Sequence, residues 1–250
     1  MDDHLKFAKR LALQAGKIIT DNYGGELQVR LKPDNTPVSE VDEQINEVVV
    51  EAVRLQYPEH GLLGEEGDLG DGNEEFQWLC DPLDGTRAFI LGIPISTFCL
   101  ALTQRGQALL SVVYHPFSDR LFHAVKGGGA FCNDRPISVN DQGLKGGYIL
   151  LDVASYAFME SLEAAGAQQE TVSGSGYEFM LIASGRAAAM IKNKADYHDV
   201  GPGSLIVEEA GGKVSALDGS ELLYDKPIEG VIVSNGTVHE KLIEIAKLAG

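Results

Sequence analysis

The stretch DPLDGT at residues 81–86 places two carboxylates three positions apart, directly after the strand-like run Gln77–Cys80. That run predicts a strand that ends in an acidic turn. Pro82 stiffens the backbone. Leu83 lies between the aspartates, so Asp81 and Asp84 can turn to the same side while the Leu83 carbonyl stays available. Carboxylates, a backbone carbonyl and a threonine hydroxyl are the hard oxygen ligands that Mg²⁺ prefers. The stretch therefore predicts a cation site. The alternative is an aspartate-capped turn whose carboxylates accept backbone N–H groups.

Two other acidic stretches have a plain structural interpretation when each is taken alone. GEE at residues 64–66 follows two leucines and runs into a glycine-rich acidic loop, where glutamates are usually solvated. Asp199 opens a predicted helix that ends in EEAGG at residues 208–212, and an N-cap role alone would explain an aspartate there. His198, just before it, is by itself typical of a packing or hydrogen-bonding residue.

The first half of the chain predicts two helices followed by an antiparallel meander. Apolar residues recur at helical spacing from residue 3 to about residue 22, and a second helical pattern runs from Val38 to Leu55. Short β-type runs separated by turn residues follow; they are Gln77–Cys80, Thr97–Thr103, Ala108–Tyr114 and Leu121–Val125.

After residue 147 strands and helices alternate, which indicates a layered α/β arrangement. The predicted strands are Tyr148–Val153, Ala187–Ile191 and Val231–Ser234. The predicted helices are Tyr156–Ala165, Tyr177–Ser184, one that includes Leu205–Ala210, and Val238–Ala249. The polar segment at residues 140–146 separates two subdomains in contact, an α+β unit at residues 1–145 and an α/β unit at residues 146–250.

Composition excludes several classes of protein. A formal net charge of −17 over 250 residues, with no basic stripe, argues against binding a nucleic-acid polymer. No apolar stretch approaches the roughly 20 residues of a membrane span, and the N-terminus resembles neither a secretory signal nor a transit peptide. The widely spaced Cys80, Cys99 and Cys132 favour reduced thiols over disulfides or a zinc site. We expect a soluble cytoplasmic protein.

In this order, GEE, DPLDGT and an aspartate that opens a helix ending in EEAGG resemble the inositol monophosphatase-like superfamily of metal-dependent, lithium-sensitive phosphatases. The resemblance covers nearly the whole chain and includes the two N-terminal helices and the stretch SEVD at residues 39–42, which is similar to the family's T-x-x-D. It implies an α/β (α+β) fold, the layered αβαβα sandwich of the inositol monophosphatase and fructose-1,6-bisphosphatase type. It also implies a homodimer.

The resemblance implies a metal set of acidic side chains and one carbonyl. Two Mg²⁺ ions would be held by the side chains of Glu65, Asp81, Asp84 and Asp199 and by the Leu83 carbonyl, with Asp42 contributing to a third, weaker site. Converging carboxylates repel one another strongly unless divalent cations neutralise them. Bound cations would also let an anionic substrate approach a protein with a net charge of −17.

The catalytic residues implied by the resemblance are Glu65, Thr86 and Asp84. Glu65, assisted by the Thr86 hydroxyl, would orient and deprotonate a water that attacks the phosphorus directly. The backbone N–H groups of Gly85 and Thr86 would hold the phosphate oxygens. No serine or cysteine nucleophile is required, and no phosphoenzyme forms.

Residues beside these motifs bear on the choice of substrate. By resemblance, Arg87 and the small residues Ser175 and Gly176 are expected to contact it. Lys192 stands seven residues before Asp199, where relatives that bind inositol hydroxyls often carry a glutamate. A cation there favours a substrate with a second anionic group; the alternative is a solvated strand end.

The expected function is a Mg²⁺-dependent phosphomonoesterase acting on a small phosphorylated metabolite, with inositol monophosphate as the family's default substrate. Histidinol phosphate, fructose 1,6-bisphosphate and 3′-phosphoadenosine 5′-phosphate are alternatives, because Lys192 and Arg87 weaken the inositol interpretation. His198 stands where many members carry a tryptophan. A metal-binding regulator without catalysis is the alternative from another class, and the intact motif residues disfavour it.

Overall fold

The computed structural model describes residues 1–70, 74–152, 156–225 and 228–249. Within these ranges the chain forms seven α-helices, which are α1 (Asp2–Asn22), α2 (Glu40–Gln56), α3 (Thr86–Ile90), α4 (Tyr156–Ala164), α5 (Ser175–Ala183), α6 (Tyr197–Glu209) and α7 (His239–Ala249). The same residues form fourteen strands, which are β1 (Val29–Leu31), β2 (Pro37–Ser39), β3 (Gly61–Gly64), β4 (Phe76–Asp84), β5 (Thr97–Gln104), β6 (Gln107–His115), β7 (Arg120–Val125), β8 (Ala130–Cys132), β9 (Arg135–Pro136), β10 (Tyr148–Asp152), β11 (Gln168–Glu170), β12 (Ala189–Lys192), β13 (Lys213–Ser215) and β14 (Val231–Ser234).

Most strands belong to two sheets, one in each half of the chain. The first sheet has seven strands in the order β3-β4-β5-β6-β7-β8-β9 and is antiparallel except for the parallel pair β3–β4. The second has five strands in the order β11-β10-β12-β14-β13; β10 runs parallel to both neighbours, and the other pairs are antiparallel. Strands β1 and β2 form a separate antiparallel hairpin.

Three apolar clusters stack these elements into five layers. Because successive side chains of a strand point to opposite faces, Trp78 and Cys80 of β4 face one cluster and Leu79 faces another. The first cluster packs α1 and α2 on the outer face of the seven-stranded sheet. The second packs α5 and α6 between the sheets, and the third packs α4 and α7 on the outer face of the five-stranded sheet. The predicted α/β fold with αβαβα layers is confirmed.

The second helix begins two residues later than the sequence pattern predicts. Val38 belongs to β2, and α2 begins at Glu40 because Ser39 caps it. The Ser39 hydroxyl accepts the Val41 N–H at 3.3 Å, and the Asp42 carboxylate accepts the Ser39 N–H at 2.8 Å. This capping box fixes the buried Asp42 side chain at the start of α2.

The start of α6 also differs from the prediction. Asp196, not Asp199, is the N-cap of this helix, so the predicted capping role of Asp199 is wrong. Asp199 lies three residues further along, and its carboxylate accepts the Asp196 N–H at 3.3 Å. An acidic residue at this position reaches back to the cap, as in other capping boxes.

Other boundaries shift by one to four residues, and the largest shift is at β4, which continues past the predicted end at Cys80 to Asp84. Helix α5 begins at Ser175 rather than Tyr177, and β12 extends to Lys192. Val153, the predicted last residue of a strand, lies outside the described residues. The strands β1, β2, β8, β9, β11 and β13 have two or three residues each, too few for alternation to reveal. The division at residue 145 stays a prediction. Among the described helices, none is both long enough and apolar enough to cross a membrane.

Candidate active site

A polar pocket opens where β4 ends. Its lining includes seven residues predicted from the sequence, which are Glu65, Asp81, Asp84, Gly85, Thr86, Arg87 and Asp199. Thr36, Pro37 and Ser173 also line it and are not predicted. The turn-type sequence DNTP at residues 34–37 indicates a loop between β1 and β2 but gives no sign of where that loop lies.

The register of β4 explains how DPLDGT presents both of its carboxylates. Asp81 pairs with Cys99 and Asp84 with Thr97, so β4 fits one extra residue between these two pairs. A bulge of this kind re-aims side chains at the end of a strand. One carboxylate oxygen from each of Asp81, Asp84 and Asp199 lies within 4.8 Å of the others. The structure thus brings together residues from β4 and α6.

Asp81, Asp84 and Asp199 are together called the carboxylate cluster. Burial and mutual repulsion make the ionised state of these carboxylates unfavourable when no cation is bound. Burial, and then the nearby charges of Glu65 and Asp84, raise the pKa of Asp81 well above its usual value. Burial and the charge of Asp199 raise the pKa of Asp84 to about 6. A divalent cation would neutralise the repulsion and replace lost hydration. Because its donors are all oxygens, the cluster can hold a hard metal ion.

The Asp84 carboxylate is positioned by the first turn of α5. One oxygen accepts the Ser175 N–H at 2.7 Å, and the other accepts the Gly176 N–H at 3.0 Å and the Thr97 hydroxyl at 2.8 Å. A Cβ atom on Gly176 would lie 2.4 Å from the Thr97 hydroxyl oxygen, so the approach requires glycine. The structure therefore places Ser175 and Gly176 behind Asp84, outside the lining of the pocket.

Glu65 is held by a lysine that the sequence patterns do not predict. The Lys32 ammonium lies 2.7 Å from Glu65 and 2.6 Å from Glu66. Lys32 follows β1, so this bridge ties the β1–β2 hairpin to the loop after β3. The contact joins residues 33 positions apart, and no local pattern could have revealed it.

Thr86, Asp42 and the Leu83 carbonyl form a buried hydrogen-bonded group beneath the pocket. The Thr86 hydroxyl lies 2.9 Å from an Asp42 oxygen and 3.0 Å from the Leu83 carbonyl oxygen. The other Asp42 oxygen accepts the Ser39 N–H. Of the three, only Thr86 lines the pocket. The structure places Asp42 and the Leu83 carbonyl where they orient the Thr86 hydroxyl.

The two predicted cations near the substrate lie in different surroundings. Arg87 is exposed at the pocket, and no described carboxylate forms an ion pair with it. Lys192 is buried, with 7% of its surface exposed, and its ammonium lies 3.0 Å from the buried Glu178 carboxylate of α5. It is not a solvated strand end, nor does it line the pocket. Glu178 was not identified from the sequence, because its role depends on a tertiary contact.

The sequence pattern that defines the inositol monophosphatase family matches residues 1–249 of the chain. The chain is 34% identical to a histidinol-phosphatase from Chlorobaculum parvum, over 97% of this chain and 96% of that protein. It is 32% identical to a Nus factor SuhB from Pasteurella multocida, over 88% of this chain and 87% of that protein. Its fold is similar to that of the IMPase from Thermotoga maritima, with a TM-score of 0.89, 25% identity, and coverage of 99% of this chain and 98% of that chain.

The family match spans both sheets and every residue of the pocket, so it concerns the whole fold and not a single motif. Relatives with different names share this scaffold, so the names do not determine the substrate. The family is metal-dependent, in agreement with the carboxylate cluster. The chain belongs to the inositol monophosphatase family and is a phosphoric monoester hydrolase.

Proposed function

We propose that the chain is a Mg²⁺-dependent phosphomonoesterase that hydrolyses a small phosphorylated metabolite in the pocket at the end of β4. The main support is the convergence of three carboxylates within 4.8 Å in a protein whose net charge is −17. Two to three Mg²⁺ ions held there would neutralise the phosphate charge and lower the pKa of water. The proposed ligands are Glu65, Asp81, the Leu83 carbonyl, Asp84 and Asp199, with Asp42 supporting the third position.

Glu65 and Thr86 are the residues proposed to prepare the attacking water. Because the Thr86 hydroxyl donates its proton to Asp42 or to the Leu83 carbonyl, its lone pairs remain to accept a hydrogen bond from water. Glu65 lines the same pocket and would take the proton. Lys32 holds the Glu65 carboxylate at 2.7 Å and so limits its orientation.

Phosphate binding is proposed to rest on the turn between β4 and α3. Gly85 adopts a left-handed conformation, with φ of 84°, and is the residue before α3. In this proposal the N–H groups of Gly85 and Thr86 hold phosphate oxygens, and the exposed Arg87 guanidinium contacts the substrate from the pocket edge.

Inositol 1-phosphate is the first candidate substrate, and histidinol phosphate is the second. The second is favoured by the 34% identity to a histidinol-phosphatase. Lys192 cannot accept hydrogen bonds from a polyol, which weakens the inositol candidate without deciding among the others. In the proposal Lys192 acts on the substrate through its charge, and Ser175 and Gly176 act through their hydrogen bonds to Asp84. Fructose 1,6-bisphosphate and 3′-phosphoadenosine 5′-phosphate complete the set.

We also propose that the chain forms a homodimer and that it resides in a reducing compartment such as the cytoplasm. Ile90, Leu91 and Ile93 form a short apolar stretch at the end of α3, and Leu91 is 73% exposed. Exposed apolar groups of this kind are common where two proteins meet. The three cysteines are free. Sedimentation of the purified chain is expected to give a dimer, and a monomer at all concentrations contradicts that part.

Phosphate release from the four candidate substrates, measured with Mg²⁺ and with and without lithium, tests the proposed function. We expect Mg²⁺-dependent hydrolysis of at least one substrate and inhibition by lithium. A clear preference for histidinol phosphate or for a bisphosphate would reject the inositol substrate and keep the mechanism. If none of the four substrates is hydrolysed, the proposed hydrolysis of these metabolites is rejected, and the alternative of a metal-binding regulator without catalysis is favoured.

A further inference from the structure

A second group of metal-ligating side chains lies in the first turn of α6. A carboxylate oxygen of Asp196, a ring nitrogen of His198 and a carboxylate oxygen of Asp199 all lie within 4.8 Å of one another. Asp199 also belongs to the carboxylate cluster, whereas Asp196 and His198 neither belong to it nor line its pocket. The second group therefore adjoins the pocket and differs from it by one imidazole and one carboxylate.

The His198 ring has an unused nitrogen. Its Nδ1 atom is buried and forms no hydrogen bond within the described part of the chain. The Nδ1 atoms of His4 and His60 are likewise buried without a partner, but those rings stack on Tyr57 and belong to no metal-ligating group among the described residues. A buried polar atom without a partner is unfavourable, and metal coordination is one way in which an imidazole is satisfied. The Tyr197 ring packs edge-on against His198 at 5.5 Å and restricts its orientation.

The donor set indicates which class of ion fits. Imidazole nitrogen favours zinc and its transition-metal neighbours, whereas sites made only of oxygens suit Mg²⁺. The first turn of a helix disfavours a cation, and the two carboxylates supply the negative charge that offsets this effect. Bonds of about 2.0–2.1 Å place two donors of a tetrahedral Zn²⁺ roughly 3.3 Å apart, so a small side-chain rotation would close the site.

We propose that Asp196, His198 and Asp199 form a second metal site, selective for a divalent transition-metal ion such as Zn²⁺. Three protein ligands leave a fourth position open to solvent. Because Asp199 is shared, an ion in this site withdraws one carboxylate from the carboxylate cluster. The site itself does not depend on which phosphomonoester the chain hydrolyses, or on whether it hydrolyses one at all.

Binding of Zn²⁺ to the full, metal-stripped chain in excess Mg²⁺ tests the proposal. Calorimetry measures the Zn²⁺ affinity, and NMR records the ¹⁵N signals of the histidine rings. The His198 signals are identified as those that are missing from the His198→Gln spectrum. We expect Zn²⁺ to shift the His198 signals. We also expect His198→Gln and Asp196→Asn each to weaken Zn²⁺ binding at least about tenfold, because mutation even of residues that only contact metal ligands has an effect of this size. Asp21→Asn, which removes an exposed carboxylate paired with Lys17 on α1, serves as the charge-matched control and is expected to bind Zn²⁺ unchanged.

Zinc binding that leaves the His198 ring signals in place would overturn the proposal, because the ion would then lie among carboxylates alone. Unchanged Zn²⁺ affinity in His198→Gln or Asp196→Asn would also overturn it. Asp196 is exposed, so Asp196→Asn remains informative even if His198→Gln fails to fold. These Zn²⁺-binding outcomes remain interpretable even if the wild-type chain hydrolyses no phosphomonoester.

Discussion

The Asp84 carboxylate accepts the Ser175 N–H at 2.7 Å, which joins the end of β4 to the start of α5 across 91 residues. The free N–H groups of a helix N-terminus suit a carboxylate, and the Gly176 N–H adds a second bond at 3.0 Å. Asp199 of α6 then completes the carboxylate cluster. The cluster therefore exists only when both helices are packed against the seven-stranded sheet.

Asp81→Asn and Asp84→Asn are expected to differ in stability, although both remove one charge from the cluster. The Asp81 carboxylate accepts one N–H group, from Leu83, and an asparagine can retain this bond through its oxygen. Both Asp84 oxygens accept hydrogen bonds from N–H groups, so in Asp84→Asn the amide NH₂ would face one of these N–H groups. The unsatisfied N–H is expected to lower the free energy of unfolding by about 1–3 kcal/mol. Urea unfolding of the metal-free variants measures the difference. Equal stability would show that the α5 contacts to Asp84 are unimportant.

Gly176→Ala is expected to destabilise the chain and displace Asp84. The added Cβ would lie 2.4 Å from the Thr97 hydroxyl and 2.5 Å from the Cys99 sulfur, and overpacking of this kind costs about 1–3 kcal/mol. Gly143→Ala is the matched control, because a Cβ there meets no atom within 4 Å. Thermal unfolding and Mg²⁺ affinity are measured together. If both properties of Gly176→Ala match those of the control, the close approach of α5 is not required.

In chelator, part of the stability of the chain is expected to disappear as the pH rises through about 6. Burial and then Asp199 raise the pKa of Asp84 to about 6, so the folded state binds a proton more tightly than the unfolded state does. That contribution is complete below the unfolded pKa and is lost as the pH passes the folded one. Histidines with lowered pKa values, such as His115, act in the opposite direction.

Denaturation at pH 5 and pH 7.5, with chelator and with saturating Mg²⁺, separates these contributions. The histidines titrate alike with chelator and with Mg²⁺, so the difference in unfolding free energy between the two series reports the contribution of the carboxylate cluster. We expect the stabilisation by Mg²⁺ to be larger at pH 7.5, where the carboxylates are ionised. Equal stabilisation at the two pH values would mean that Mg²⁺ binds elsewhere.

The buried Lys192–Glu178 ion pair gives a test of substrate contact. Lys192→Met leaves the Glu178 charge buried, and breaking such a pair costs about 3–5 kcal/mol. The double variant Lys192→Met, Glu178→Leu is expected to recover most of that stability. If Lys192 also attracts the substrate, the double variant raises KM for the preferred phosphomonoester and changes kcat less. An unchanged KM would restrict Lys192 to a structural role.

The sequence predicts the metal-competent turn because the relevant chemistry is local. Asp81 and Asp84 lie within one six-residue stretch, and both side chains end in the pocket. The convergence of Asp199 on them could be inferred only by resemblance, since its distance along the chain carries no geometric information. The helices of the layers can also be predicted from the sequence, because apolar residues recur at helical spacing over many residues.

The remaining contacts could not be predicted, because they depend on tertiary packing. Lys32 reaches Glu65 only after the β1–β2 hairpin folds over the loop that follows β3. Lys192 has the pattern of a surface lysine until Glu178 is placed beside it in the interior. The sequence pattern indicates Asp199 as an N-cap of α6, but Asp196 takes that position, and only the backbone conformation distinguishes the two aspartates.

The most direct test of the account is the Mg²⁺ dependence of phosphate release by the wild-type chain and by Asp81→Asn, with inositol 1-phosphate and histidinol phosphate in parallel. We expect no hydrolysis in chelator, recovery of activity on addition of Mg²⁺ in the wild type, and a Mg²⁺ requirement raised at least about tenfold in Asp81→Asn. Hydrolysis that persists without metal, or an Asp81→Asn variant with the Mg²⁺ dependence of the wild type, would contradict the assignment of the carboxylate cluster as the catalytic metal site.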